Sequence, residues 1–487
     1  MKHKLSLFLL LVLHLHLFSQ NSFFNNYKQI SHERSFSSVQ LDDGGYLLVG
    51  EKRVSGYYGI NQAYITKVSQ TSEIVNEVLM NPAEVSRFCI ITPYQYGNIV
   101  FLCIGSTDSV SGSNTFSRLV FYGIDAALNI TYQKHFTYKK DYFQVPWQFD
   151  MPNDSILYLM VDNMNNQNSS RNVVVTKYKM PSDSLASYTI NNLSISQDLN
   201  FIKVKQQLDV FVYPNNKLLQ FDKDLNLRTS KQYPEKFPSS ICITPLSDTN
   251  YLLTGSAFNN ISYNLQVGCL RNNNDDITED SLFYTPSIDT NFYAGGRENT
   301  AKNGNSIFIA GFYNVAAYLF PYNFNPSWVT ITKTDLDLNM VSTHFYGGDA
   351  QYCPYSIIPT LDGGCFVTGY SYDYINNLPN GNYELDIFAL KVNSDGLITE
   401  LPNQPQAKAH DAILYPNPGS EILNIQSGPQ INGSQFTLYD MQGRAMRTET
   451  ITATALKLTT STLPSGTYPW QIVFKNKVIE SGKWVKE

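Results

Sequence analysis

One repeating unit limits what this chain can fold into. It is cleanest at residues 355–399, YSIIPTLDGGCFVTGYSYDYINNLPNGNYELDIFALKVNSDGLIT. A short apolar run, 356–359, leads into Asp362-Gly363-Gly364, and Asp-Gly pairs accept the positive φ angles of a tight hairpin. Residues 365–369 read as the return strand and 386–392 as a strand with alternating apolar positions. Residues 393–396 turn again, and 397–399 is expected to open the next strand. The glycine closing the return strand recurs as Gly50, Gly105, Gly255, Gly311 and Gly369. The gap from 105 to 255 holds two further units that lack the glycine, at 155–161 (SILYLMV) and 209–213 (DVFVY). A second marker, a strand broken by a polar turn, interleaves with the first at 65–75, 121–130, 176–185, 219–227, 270–278, 331–340 and 390–398.

Seven units with a period near 53 residues follow, each of three to four strands with no helical periodicity. One such unit cannot cover both faces of its own small sheet, so neighbours must stack on it. The expected fold is all-β: a seven-bladed β-propeller over residues 20–401, then a second domain. The marker glycine fits a place where sheets crowd or a strand kinks. Residues 23–30, FFNNYKQI, read as a loose strand that closes the ring against the last unit and removes an exposed edge. Units one and seven resemble a bacterial propeller repeat in which Asp-Gly-Gly-aromatic precedes a strand ending in Gly and a Lys-x-Asp/Asn turn. That resemblance implies an architecture and no particular reaction.

The N-terminus carries an address. Lys2 and Lys4 precede an apolar stretch, 5–18, too short for a bilayer, with Ser19 as a cleavage-point residue, so 1–19 reads as a secretory signal peptide. No later stretch is long and apolar enough for a transmembrane helix, so the mature chain is expected to be exported and soluble or otherwise anchored. The charge balance, 35 basic against 41 acidic residues without a basic run, speaks against nucleic acid as a partner. Six cysteines fall two by two in three units and suggest 89–103, 242–269 and 353–365 as bridges, against the simpler alternative of buried thiols.

Residues 402–410, PNQPQAKAH, form a polar linker, and 411–487 changes character. Six short strands with regular turns suggest a small immunoglobulin-like β-sandwich. This segment resembles the type A C-terminal sorting domain of the type IX secretion system. The resemblance is carried by YPNP (415–418), LYDMQGR (438–444), LPSGTY (463–468) and the basic end KWVK (483–486). It implies that Pro416, Asn417, Pro418, Tyr439, Gly443, Leu463, Gly466 and Tyr468 carry a sorting signal read by the type IX translocon, and it places the passenger on the outer surface or outside the cell. Pro469 departs from the pattern and is expected where the strand is an edge.

Patterns for chemistry are thin. His32, His135, His344 and His410 are scattered, and no Cys-x-x-Cys, Gly-x-Ser-x-Gly or phosphate loop occurs, so no catalytic, cofactor-binding or metal residue is assigned. Acidic residues at 275, 276, 279 and 280, and at 335 and 337, read as solvated turns rather than a calcium loop. Four Asp-Ser-aliphatic triplets, at 108, 154, 183 and 280, are similar to an O-glycosylation sequon, and Ser155 is discounted as a strand residue. The leading expectation is a surface-displayed or shed binding or adhesion protein with a glycan or protein ligand. The alternative is a polysaccharide hydrolase or lyase with its site at the channel mouth, for which a carboxylate cluster or an Arg-Tyr-Glu group would speak. An aromatic channel face would speak for binding.

Overall fold

The computed structural model describes residues 22–28, 32–53, 61–80, 94–96, 99–107, 117–136, 142–153, 155–165, 171–180, 184–193, 200–204, 208–212, 217–232, 239–247, 250–258, 263–272, 277–284, 292–294, 298–314, 327–374, 384–398, 412–427, 433–440, 444–452, 455–474 and 477–487. The signal segment, the linker, Asp275 and Asp276 lie outside them. The chain divides into two compact units, Met1–Leu401 and Pro402–Glu487.

In the first unit β1 (Phe23–Tyr27) precedes a succession of antiparallel sheets. β2 (Glu33–Gln40), β3 (Tyr46–Arg53), β4 (Asn61–Val68) and β5 (Ile74–Met80) pair in chain order. So do β6 (Tyr94–Tyr96), β7 (Ile99–Thr107), β8 (Ser117–Ile124) and β9 (Ile130–His135). The next sheet is β10 (Tyr142–Asn153), β11 (Ile156–Asn165), β12 (Arg171–Lys179) and β13 (Ser184–Leu193). It is followed by β14 (Asn200–Val204), β15 (Leu208–Val212), β16 (Lys217–Phe221) and β17 (Leu227–Gln232). Then come β18 (Ser239–Pro245), β19 (Asn250–Phe258), β20 (Tyr263–Asn272) and β21 (Ile277–Tyr284). In the next sheet β22 (Phe292–Ala294) and β23 (Thr300–Asn303) both pair with β24 (Ser306–Tyr313), before β25 (Trp328–Thr334) and β26 (Met340–Gly347). The last sheet is β27 (Gln351–Pro359), β28 (Cys365–Tyr372) and β29 (Asp386–Val392), and its fourth strand is β1, with Phe23 opposite Lys391 and Tyr27 opposite Ile387. Residues 397 and 398 therefore open no strand: the free edge of β29 is already taken by the N-terminal segment.

Apolar side chains form a separate core at each sheet junction, in chain order. Leu47, Val49 and Ile65 meet Leu102 and Tyr122, and Phe121 meets Phe149 and Leu159. Met160 and Val175 meet Val210 and Phe221, while Tyr251 reaches back to hydrogen-bond Asp209. Leu252 meets Ile307 and Ile309, and Phe308 and Ile331 meet Tyr352 and Phe388. The last sheet returns to the first: Phe366 and Ile387 pack with Tyr46, Leu48 and Tyr64, and the Tyr46 and Phe366 rings stack at 3.9 Å. First strands of neighbouring sheets touch one another, as β2 does β27 and β27 does β23, so they line the axis of a closed ring. This is a β-propeller fold, and it explains how small sheets with two apolar faces leave neither in water.

The marker glycines answer to a bulge. Ser35 pairs with Gly50 and Ser37 with Val49, so Phe36 is an extra residue on β2; Tyr355 is the extra residue opposite Gly369. A Cβ on Gly50 would lie 1.7 Å from the Arg34 carbonyl oxygen, and one on Gly369 2.0 Å from that of Cys353. The second marker is a side-chain-capped turn. Asp125, Asp222, Asp335 and Asn393 each accept the N–H groups two and four residues on through one side-chain oxygen. The residue three on has positive φ: Leu128, Leu225, Leu338 and Gly396. Asp335 thus spends its oxygens on the turn and on Asn339.

None of the suggested disulfides forms: Cys103, Cys242, Cys353 and Cys365 are unbridged. Cys353 stands opposite Tyr370 while Cys365 stands opposite Pro359, which separates them by five ladder positions, ~17 Å. Cys242 and Cys269 flank β19 on opposite sides, ~10 Å apart across two strand spacings, beyond the ~7 Å reach of a bridge. Ser155 is also corrected. It sits exposed in the turn before β11, whereas Ser184 and Ser281 lie in strands.

Lys391, 3% exposed, pairs with Asp362 at 2.8 Å across the Asp-Gly-Gly turn. Burial raises the Asp362 carboxyl, but Lys391, the Thr360 hydroxyl and the Gly364 N–H outweigh it and hold it below the usual range. A depressed folded-state value contributes stability above the unfolded pKa, about 3.9, and that contribution is lost as pH falls through the folded value. Asp362→Asn should therefore lower Tm at pH 7 and flatten its decline below about pH 4. Lys391→Met alone should also destabilise, and the double variant Asp362→Leu/Lys391→Met should recover most of the loss, because a lone buried charge costs more than the pair gives. Thermal melts from pH 3 to 7 check this.

In the second unit β30 (Ala412–Tyr415), β31 (Ile422–Ser427) and β34 (Ala455–Thr459) form one sheet. β33 (Ala445–Thr450), β32 (Gln435–Tyr439), β35 (Gly466–Phe474) and β36 (Lys477–Lys486) form the other. Leu423, Ile425 and Leu458 of the first share a core with Phe436, Leu438, Trp470 and Trp484 of the second. β30 was not foreseen in the sequence. Pro469 pairs with Lys483 of β36, and the pairing with β32 begins only at Trp470, so on that side Pro469 has no ladder to break.

Candidate functional site: an aromatic seam and a sorting domain

The inner strands β2 and β27 meet where the ring closes. Their bulge residues touch: the Phe36 and Tyr355 rings lie 5.3 Å apart, edge to face. Tyr355 continues to Tyr370 at 5.5 Å. Arg34 lies against both ends of this row, 5.6 Å from the Phe36 ring and 5.9 Å from Tyr370, and pairs with Glu51 on β3. Arg34 is 27% exposed and Glu51 4%, so the carboxylate is held inside and the guanidinium reaches the surface already neutralised.

Below the bulges, hydroxyls tie the seam. Glu298 Oε2 accepts from Ser37 Oγ at 2.7 Å and from Ser356 Oγ at 2.8 Å, so one carboxylate holds the first and last sheets. Cys353 hydrogen-bonds Tyr370, and burial pushes its thiol up to about 12. Burial also raises the Tyr370 hydroxyl far above its ordinary value. A thiol and a phenol in that state stay protonated at neutral pH, and neither is an activated nucleophile. The seam can offer ring faces, a paired guanidinium and hydrogen-bonding groups to a ligand.

Sequence reading missed these residues, although a signal exists. Phe36, Trp147 and Tyr355 each stand 14 residues before the marker position of their unit, at Gly50, Val161 and Gly369. Trp147 occupies a bulge too, between Pro146 and Gln148. Among the described residues no three His, Cys, Asp or Glu side chains group to hold a metal.

The structure gathers most of the expected sorting residues. Asn417 donates through Nδ2 to the Lys483 carbonyl at 3.0 Å, and its Oδ1 accepts the Val485 N–H at 2.9 Å. Trp484 Nε1 donates to the Pro416 carbonyl at 2.8 Å, fixing YPNP against KWVK, while Pro416, Asn417 and Pro418 remain exposed. Leu463 is buried, Gly466 opens β35, and Tyr468 donates to the Pro464 carbonyl at 2.7 Å while packing 6.0 Å from the Trp484 ring. Tyr439 ends β32, half-buried, and Gly443 lies outside the described residues. Lys486 is buried and donates to the Thr460 carbonyl, so the basic end is part of the sheet.

Comparison with solved structures returns low-identity matches. PorZ, described as a bacterial surface component of the type IX secretion system of Porphyromonas gingivalis, is 10% identical, with 93% of this chain and 81% of that chain covered and a TM-score of 0.24. The β-propeller domain of the trilobed protease from Pyrococcus furiosus is 8% identical (77% and 100% covered, TM-score 0.41), and the WD40 domain of Toxoplasma gondii coronin 9% (77% and 88%, TM-score 0.40). No curated protein matches the chain significantly. One family model matches, over residues 413–487: the secretion system C-terminal sorting domain. The protein thus carries the tail of type IX secretion cargo, exported to the cell surface or the extracellular space.

Proposed function

We propose that this is an exported binding protein: a signal peptide at 1–19, a seven-bladed propeller at 20–401 and, beyond a linker at 402–410, an immunoglobulin-like sandwich at 411–487. The sandwich presents Pro416–Pro418 and the neighbouring blocks to the translocon. The propeller binds a glycan or protein ligand at the seam of its first and last blades. The observation that carries the binding reading is the contact of the bulge aromatics Phe36 and Tyr355 beside the neutralised Arg34. Seven blades are supported by the succession of sheets from β2 to β29 and by the closing strand β1.

The hydrolase reading has one observation in its favour, since Arg34, Glu51 and Tyr370 do meet. Their state weighs against it: Glu51 is engaged by Arg34, and burial keeps Tyr370 protonated. The full-length protein on glycan and protein arrays should bind a defined ligand class. Phe36→Ala with Tyr355→Ala should weaken that binding at least tenfold, about 1.4 kcal/mol, with the circular dichroism spectrum unchanged. Release of soluble fragments from any polymer would replace binding with catalysis.

A further inference from the structure

The outer strand of a sheet carries unpaired backbone groups and is a template for a further strand unless something guards it. Here β1, β5, β9, β13, β17, β21 and β26 end their sheets. Charged side chains guard four of them: Glu77 on β5, Lys134 on β9, Arg228 and Lys231 on β17, and Glu279 and Asp280 on β21. β1 is uncharged but has no exposed residue, and on uncharged β13 the exposed residues described are Ser187 and Thr189. β26, MVSTHFYG, has no Lys, Arg, Asp or Glu, yet Met340 is 59% exposed, Val341 60% and Phe345 51%. One face of β26 is covered: Tyr346 donates to the Gly396 carbonyl, and its ring lies 6.5 Å from Phe24 of the last sheet. The other face carries Thr343 and Phe345, with Val341 beside them at the bulge that opens the strand. Tyr313 holds the Phe345 ring edge to face at 5.4 Å.

We propose that β26 is the contact edge of a homodimer, in which two copies join antiparallel about a twofold axis through Thr343 and make one continuous sheet from two. In that register Val341 stands opposite Phe345 of the partner subunit, and the two Thr343 residues face each other. On the other face Ser342 stands opposite His344 of the partner subunit. Aromatic–β-branched and Thr–Thr pairs are favourable cross-strand neighbours, and no like charges meet. A second copy fits because the strand is self-complementary: read against itself, it sets apolar on apolar and hydroxyl on hydroxyl, as a twofold contact requires. Pairing over 341–345 buries well below the ~1,600 Å² of a standard interface, so the contact is weak. Copies gathered on a cell surface meet at high effective concentration, which suits a weak contact.

Sedimentation equilibrium of the mature full-length protein from about 1 μM to about 500 μM should show a monomer–dimer equilibrium. Thr343→Lys and Thr343→Glu each set like charges opposite one another, and each should raise the dissociation constant about tenfold or more; an equimolar mixture of the two should recover association. Thr343→Cys should give a disulfide-linked dimer under mild oxidation, whereas Leu361→Cys, at a residue 67% exposed and outside β26, should not. Circular dichroism checks that the variants fold. Should those at Thr343 fail to, Val341→Lys with Phe345→Lys makes the same comparison at side chains more than half exposed. A monomer at every concentration, a dimer that the charged variants leave intact, a mixture that stays monomeric, or cross-linking at Leu361→Cys in preference to Thr343→Cys overturns the proposal. The first of these would leave the edge to a strand from another protein.

Discussion

Removing residues 411–487 should leave the folded passenger in the periplasm and abolish its surface display. In a strain with a working type IX system, the intact protein should be found by surface protease shaving or antibody labelling, and the truncated one only after the outer membrane is opened. The expected loss is near complete, because the second unit is compact on its own and carries the sorting match. A narrower variant separates recognition from folding. Asn417→Ala deletes two hydrogen bonds that join YPNP to β36, while Trp484 remains in the core. It should cost ~1–3 kcal/mol of stability in the second unit and reduce export partially. Undiminished display of the truncated chain would refute the sorting assignment.

Gly369→Val should abolish folding of the first unit, and Gly369→Ala should destabilise it by ~3 kcal/mol or more. The reason is the fixed backbone of the bulge. A Cβ would meet the Cys353 carbonyl at 2.0 Å and the Pro354 Cα at 2.9 Å, and neither belongs to a side chain that can rotate away. Gly304→Ala is the control. Its φ is +58°, but nothing lies within 4 Å of the added methyl, so only the conformational cost of about 1 kcal/mol applies. Chemical denaturation of the three proteins orders them. If Gly369→Ala proved no worse than Gly304→Ala, the bulge would not be the cause of the repeat glycine.

The seam was less legible than the repeat. Spacing exposes a glycine every 55 or so residues, but the aromatic residue 14 positions before the marker recurs in only some units, and the extra residue at the bulge breaks the alternation that strand patterns rest on. Arg34 and Tyr370 are 336 positions apart and meet only because the last sheet packs on the first. The suggested Cys353–Cys365 bridge failed for a related reason. Grouping in sequence does not give register, and the hairpin places the two at opposite ends of their strands.

The features legible without a fold are local and repeated: Asp-Gly-Gly turns, Asx-capped turns, strand length, and the blocks of a sorting domain. Each depends on side chains within a few residues of one another, so each can be read without a fold. Which units touch is settled by folding alone. The fourth strand of the last sheet comes from Phe23–Tyr27, Glu298 ties Ser37 to Ser356, and Phe36 meets Tyr355. These contacts arise from closing a ring, and closure is set by the summed packing of all the sheets, which no single stretch of sequence encodes.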